Sequence, residues 1–341
     1  MRQRLSRRLL AVVALGGWGV FVAVSAATIM RGGAAGTGDV FQVDWHVYWA
    51  GARDLVNGDL YRVPLDAGGR TLSAEQFSLP PLSAAWAIPL LALPVLVGGY
   101  VWQTLAVAAI GASAIAAASI LRQPRSWLTA GLVLGPLALT FPYIEGLHLG
   151  TNNFLVLALV AGATWAYLAR RDTAAGLLFG LAIATKLWPA ALLVVALRER
   201  RLRVAGWAAA VVGVQGLVLF GWLGFDAIGP AVDTFRDPIP PTGYLIGPTA
   251  VPGLRDAWQS GLGLVVAIGL LALPLRGRAG IGVAILAGLA VVPNLWVHYA
   301  PTVLFAAALI AFDVWRRIEH GRGSTLGDER AVSENPPASG Q

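Results

Sequence analysis

Apolar runs of about 17 to 23 residues recur along this chain, parted by short stretches where arginine, proline and aspartate gather. A helix of that length crosses a hydrocarbon core about 30 Å thick. The runs 9–30, 100–121, 126–147, 152–169, 203–223, 257–275, 279–297 and 299–315 are read as about eight crossings. Two more, 81–97 and 174–197, are read as broken hairpins that enter the membrane and return. The first dips in from the outer side, where Pro89 and Pro94 interrupt its helix, and the second from the cytoplasmic side. The run 9–30 follows Arg2, Arg4, Arg7 and Arg8 and meets Arg31 without a small-x-small cleavage site, so it reads as a retained span rather than a signal peptide. The predicted fold is an all-α polytopic membrane domain over residues 1–320, with outer loops at 31–80 and 224–256. Residues 321–341, rich in Ser, Gly, Pro and mixed charge, read as a disordered cytoplasmic tail.

Arginine placement orients this pattern. In the arrangement above, 18 of the 24 arginines are cytoplasmic and six are outside, as the positive-inside rule requires. A full crossing at 81–97 would instead send Arg122, Arg125, Arg170 and Arg171 outside. Both termini are then cytoplasmic, and the chain is expected to be a multi-pass protein of the plasma (inner) membrane. At 57% hydrophobic and 13% charged residues, a soluble domain is excluded. The net charge of +7 resides in short loops beside apolar runs, so topology explains it and no nucleic-acid partner is implied. The absence of cysteine excludes disulfides and thiolate metal sites.

The same topology collects the versatile side chains on the outer face. The first loop holds Asp39, Asp44, His46, Asp54, Asp59 and Asp66, and the turn at 145–153 holds Glu145, His148, Asn152 and Asn153. Loop 224–256 holds Asp226, Asp233, Asp237 and Asp256, while Asn294 and His298 end a late span. Loops are polar wherever water is present, which accounts for Asp39, Asp66 and Asp233. His148 and His298 are flanked by apolar residues, which puts their rings near the hydrocarbon boundary. The stretch from Val43 to Gly58 predicts an amphipathic helix lying in the interface, ended by Asn57-Gly58, with Trp45, Tyr48 and Trp49 at the depth aromatics favour. Asp44, near its start, is either a helix cap or a catalytic carboxylate.

The only lysine, Lys186, lies within an apolar stretch, which makes it a functional-site candidate by default. From Thr173 at the inner boundary, 13 helical residues rise about 20 Å, past the midplane of a core about 30 Å thick. The lysine can there meet a lipid phosphate, or it can pair structurally with a carboxylate such as Glu145.

At these positions the chain resembles a known family. Asp44-Trp45-His46-Val47-Tyr48, then Ala52-Arg53, then Gly58-Asp59-Leu60-Tyr61 is similar to the opening signature of glycosyltransferase family 87. Phe77-Ser78-Leu79-Pro80-Pro81 resembles its aromatic-x-Tyr-Pro-Pro element, with Leu79 in place of tyrosine. Gly150-Thr151-Asn152-Asn153 sits where the family has Gly-Gln-x-Asn, with Thr151 departing from it. Lys186-Leu187-Trp188-Pro189 resembles its Lys-x-x-Pro element, and Trp296-Val297-His298-Tyr299 its late Trp-x-His-Tyr.

The resemblance implies a GT-C type membrane glycosyltransferase, a mannosyltransferase using polyprenyl-phosphate-mannose, with arabinofuranosyl transfer as a variation. The donor would be a polyprenyl phosphate sugar, the acceptor a glycolipid or glycan. It further implies Asp44 as general base and an essential active-site role for His298. The residues suit that chemistry: a carboxylate takes the acceptor proton, and cations hold the departing phosphate. Lys186, Asn153, His148, Arg53 and Tyr48 are the expected donor-binding groups. No metal or other cofactor is expected, because basic side chains can hold a monophosphate. A lipid or sugar transporter or flippase is the rival of another class, since broken helices and an intramembrane lysine also occur there.

Overall fold

The structure, a computed structural model, describes residues 2–34, 41–62, 77–123, 125–236 and 245–333. Asp39, Asp66 and Asp237 lie outside the described residues, as do residues 334–341. The chain is all-helical, and the described residues contain no strand, only a single antiparallel bridge between Leu245 and Trp296. The helices run in order α1 (Arg2–Ala34), α2 (Val43–Asn57), α3 (Pro81–Ala85), α4 (Val95–Ile120), α5 (Ser126–Ala138), α6 (Phe141–Leu149), α7 (Asn153–Leu168) and α8 (Asp172–Thr185). They continue with α9 (Leu192–Arg198), α10 (Leu202–Leu223), α11 (Ile228–Arg236), α12 (Pro252–Ala257), α13 (Gly263–Ala272), α14 (Gly277–Ala290) and α15 (Ala300–Ser333).

Four helical stretches are long and apolar enough to cross a membrane: Arg8–Gly32, Val95–Ile120, Leu202–Leu223 and Val297–Glu319. A fifth results if α5 and α6, bent by 83° at their junction, are taken as one span. Eight full-length crossings are not present among the described residues, for local reasons. The run 257–275 is split by a π-helical stretch, Trp258–Leu262, in which Gly261 has φ 128°. The run 279–297 stops as a helix at Ala290, ahead of Pro293. α15 runs to Ser333, past the point where the sequence places the start of a disordered tail.

The segment 81–97 is broken as expected. It forms α3, a 3₁₀ turn at Ile88–Leu90 and then the start of α4 at Val95, far too little helix to cross. The segment 174–197 breaks at Lys186, whose extended backbone (φ −144°, ψ 140°) ends α8. Arg201 forms an ion pair with Asp172, donates to Tyr167 O at 2.5 Å and lies 3.8 Å from the Tyr167 ring centroid. Entry and exit of this segment are thus tied together, which makes it a hairpin. The two broken segments touch, the start of the first against the break in the second: Ser83 Oγ donates to Thr185 O at 2.5 Å and Trp86 Nε1 to Thr185 Oγ1 at 2.9 Å. The carbonyl freed by the break in α8 is therefore satisfied by α3.

Arginine also closes helices at the end of the bundle that carries Arg201. Arg122, Arg170 and Arg200 follow α4, α7 and α9 with φ of 54°, 61° and 57°. In each, the next amide reaches back five residues, Gln123 N to Ala118 O, Arg171 N to Ala166 O and Arg201 N to Ala196 O. This is the Schellman closure, whose left-handed position usually belongs to glycine. A cation beside the free carbonyls of a helix C-terminus offsets the steric cost.

Candidate active site

α2 forms where the pattern predicts, and Gly58 (φ 83°) terminates it with its amide on Leu55 O, while Asp59 N returns to Asp54 O. Its aromatic face, however, meets protein rather than the interface. Trp45 and Tyr48 are buried against Trp102, Leu55 against Leu223 and its neighbours. The reason is hydrogen bonding: Trp45 Nε1 donates to Val95 O at 2.7 Å, and Trp222 Nε1 donates to Leu55 O at 2.8 Å. Gln42, not Asp44, occupies the cap position, so the capping role for Asp44 falls away.

The turn between α6 and α7 brings the partner groups. Gly150 takes φ 73°, which turns the chain sharply beneath Trp45. Trp102 Nε1 donates to Gly150 O at 2.8 Å, and Asn152 N donates to Tyr48 Oη at 3.2 Å. Thr151 thereby places its hydroxyl toward the Asp44 carboxylate. Lys186, at the break after α8, donates to Asn153 Oδ1 at 2.5 Å and to Tyr299 Oη at 3.3 Å, with its ammonium 5.2 Å from the Tyr299 ring centroid. His298, in the 3₁₀ turn Val297–Tyr299, packs against Tyr299 at 5.4 Å between ring centroids and against Gly146 of α6.

Asp44, Tyr48, Asn153, Lys186 and His298 therefore gather in one cluster, drawn from four separate segments. Arg53 does not join them. It lies nine residues beyond Asp44, on the opposite side of the helix, where it pairs with Asp54 at 3.3 Å and covers Trp49. His148 also stays apart, its ring against Phe41 at 5.3 Å. Thr151, Asn152 and Tyr299 are added by the fold. Each sits beside a motif residue, but nothing in the sequence says that its side chain turns the same way.

Two features mark the cluster as a place for a ligand. Among the described residues no carboxylate lies within ion-pair distance of Lys186, so its charge is met only by neutral oxygens. Asn153 Nδ2, Asn152 Oδ1 and His298 Nδ1 are buried without a hydrogen-bond partner, a condition native structures seldom leave unexplained. The alternative, a structural ion pair of Lys186 with Glu145, is not made among the described residues.

Asp44 is raised from 3.8 to about 6, chiefly by burial, which outweighs the opposing effects of Lys186 and of the Thr151 hydroxyl; Glu145 adds to the rise. If Asp44 must be ionised to act, kcat/KM falls as pH drops through about 6 and levels off above it. A pH–rate profile from pH 4.5 to 8 measures this, and a flat profile would show that Asp44 is not the titrating base. For stability the sign is reversed. Burial disfavours the ionised form, so the folded protein gains from this group as pH falls from about 6 toward 3.8.

The profile of glycosyltransferase family 87 matches residues 77–315, more than half of the chain. The match takes in Asn153, Lys186 and His298 and begins after α2, so Asp44 stands on its geometry. No curated protein and no solved structure matches the chain. With its helical membrane architecture and a polar cluster built on motif residues, the chain belongs to glycosyltransferase family 87, and it is a glycosyltransferase rather than a transporter.

Proposed function

We propose that this enzyme moves a mannosyl residue from polyprenyl-phosphate-mannose to a glycolipid or glycan acceptor at the outer face of the plasma membrane, with inversion. The observation that carries the reading is a half-buried carboxylate, Asp44, near an ammonium, Lys186, whose hydrogen bonds go only to neutral oxygens. The acceptor oxygen attacks the anomeric carbon and loses its proton to Asp44. The bond from that carbon to the phosphate oxygen breaks, and the phosphate leaves with the electron pair. Lys186 stabilises the growing phosphate charge, Asn153 Nδ2 donates to a sugar or phosphate oxygen, and His298 acts on the phosphate or the bound sugar. Membranes containing the enzyme should incorporate radiolabel from polyprenyl-phosphate-mannose into lipid. Incorporation from the polyprenyl-phosphate-arabinose analogue alone would reassign the sugar, and none from either would remove the polyprenyl phosphate donor.

The orientation is part of the proposal, as is the GT-C type of the fold. Support comes from the way the loops divide. Tyr167, Asp172, Glu199, Arg201 and Gly277 are joined by hydrogen bonds at one end, where Arg278 also donates to Ile120 O. Gln42, His148, Gly150 and Asn152 meet α2 at the other. The chain has no native cysteine, so single cysteines report cleanly. Replacements at exposed Asn57 and Asp256 should react with an impermeant thiol reagent from outside intact cells, and those at Gln123 and Thr173 should not. The reverse pattern would place the active site in the cytoplasm.

A further inference from the structure

Two glutamines that touch no reacting atom join the start of α2 to the helix carrying Glu145. Gln42 and Gln103 are both fully buried. Gln42 Nε2 donates to Gln103 Oε1 at 3.0 Å, and Gln103 Nε2 donates to Leu147 O at 2.8 Å. The Gln42 amide donates to His148 O at 2.9 Å, and Gln42 O accepts from His46 N at 2.9 Å. Gln42 holds a left-handed backbone (φ 59°), which a non-glycine residue keeps only when its surroundings over-determine it. Space for its side chain exists because residue 99 is glycine: a Cβ there would sit 2.0 Å from Gln42 Oε1. In the apolar α4, packing alone would be served by leucine or methionine at position 103. An amide both accepts from Gln42 and donates to Leu147, which no aliphatic side chain does.

We infer that Gln103, acting through Gln42, is a positioning residue that holds the first turn of α2 so that Asp44 stays aimed at Thr151 and Lys186. The inference rests on Asp44 being the general base. Asp44 lies only two residues beyond Gln42, so a shift of the Gln42 backbone passes to it almost undiminished. The groups facing Asp44 come from several elements: Lys186 after α8, Glu145 on α6, Thr151 in the following turn and Tyr48 on α2, with Tyr299 and His298 one contact further, beside Tyr48 and Lys186. Loosening that first turn changes the distance from Asp44 to all of them together, and with it the pH at which the carboxylate ionises.

The test is a double-mutant cycle on the purified full-length enzyme, with turnover expressed per folded molecule. Gln103→Met should lower kcat by roughly 10²-fold, the scale of a misplaced reacting group, with donor KM little changed and the acid limb of the pH profile moved. In an Asp44→Asn background the same substitution should remove almost nothing further. Wild-type kcat and an unmoved acid limb in folded Gln103→Met, or an equal loss in both backgrounds, would overturn the inference. Should Gln103→Met not fold, Gly99→Ala displaces the Gln42 amide while removing no polar group, and the same two outcomes decide. If Asp44→Asn itself keeps its turnover, the general-base reading fails and the positioning role with it. If Asp44→Asn is inactive and Gln103→Met is not impaired, only the positioning role fails.

Discussion

Asp44→Asn should lower turnover by about 10²- to 10⁴-fold, the range a positioned general base contributes, while donor affinity stays near wild type. The substitution keeps size and the hydrogen bond with Thr151, and α2 does not depend on Asp44 as a cap. Burial already disfavours the charged carboxylate, so a neutral amide is no burden on the fold. The variant should therefore melt at or above the wild-type temperature while losing its acid limb. Steady-state kinetics at saturating acceptor, together with a thermal melt in detergent, check both parts. Near wild-type turnover would sink the assignment and direct attention to Glu145, the other carboxylate that acts on the same cluster.

Lys186→Met should weaken use of the donor more than any other single change in the site, with kcat/KM for donor down by about 10²- to 10³-fold, the scale seen when a charge-stabilising donor is lost. The ammonium is buried, is held by Asn153 Oδ1 and Tyr299 Oη, and has no carboxylate partner among the described residues. Removing it breaks no ion pair, and the direct penalty on folding is the loss of the donor to Asn153 Oδ1 and Tyr299 Oη, about 1–3 kcal/mol for each oxygen left unpartnered. Methionine suits the hydrocarbon better than lysine, which returns part of that. Donor titrations under limiting donor, set beside the melting temperature, separate the two effects. Unchanged kcat/KM with a large drop in stability would make Lys186 a structural lysine.

Much of this was legible from residue order alone. Chain-wide apolar periodicity identified an all-helical membrane protein. Pro89 and Pro94 marked the first broken hairpin, and Asn57-Gly58 marked the end of α2. The solitary lysine in an apolar stretch, together with the late Trp-x-His-Tyr, pointed to two of the clustered side chains. These signals are local: they depend on backbone geometry near one residue, or on the cost of one charge in hydrocarbon.

What needed the tertiary structure was whatever depends on direction and on meeting. Arg53 and Asp44 share one short motif, yet they occupy opposite sides of α2 because nine residues make a half-integral number of turns. His148 and Asn153 flank one turn, yet only Asn153 faces Lys186, since Gly150 reverses the chain between them. The aromatic side chains of α2 pointed to a membrane interface; indole donors finding Val95 O and, in return, Leu55 O set them against a protein wall instead. The reach of the helices was decided in the same way. Gly261 and Pro293 are single residues within apolar runs, tolerable in a spanning helix when neighbours satisfy the backbone, and only the surrounding packing shows that here they break it. The sequence thus determined the membrane class, the family and the chemical identity of the site's groups, because composition and local backbone preference are enough for those. Which groups share one cluster, and which buried amides hold them there, was decided by long-range contacts between segments that no spacing along the chain encodes.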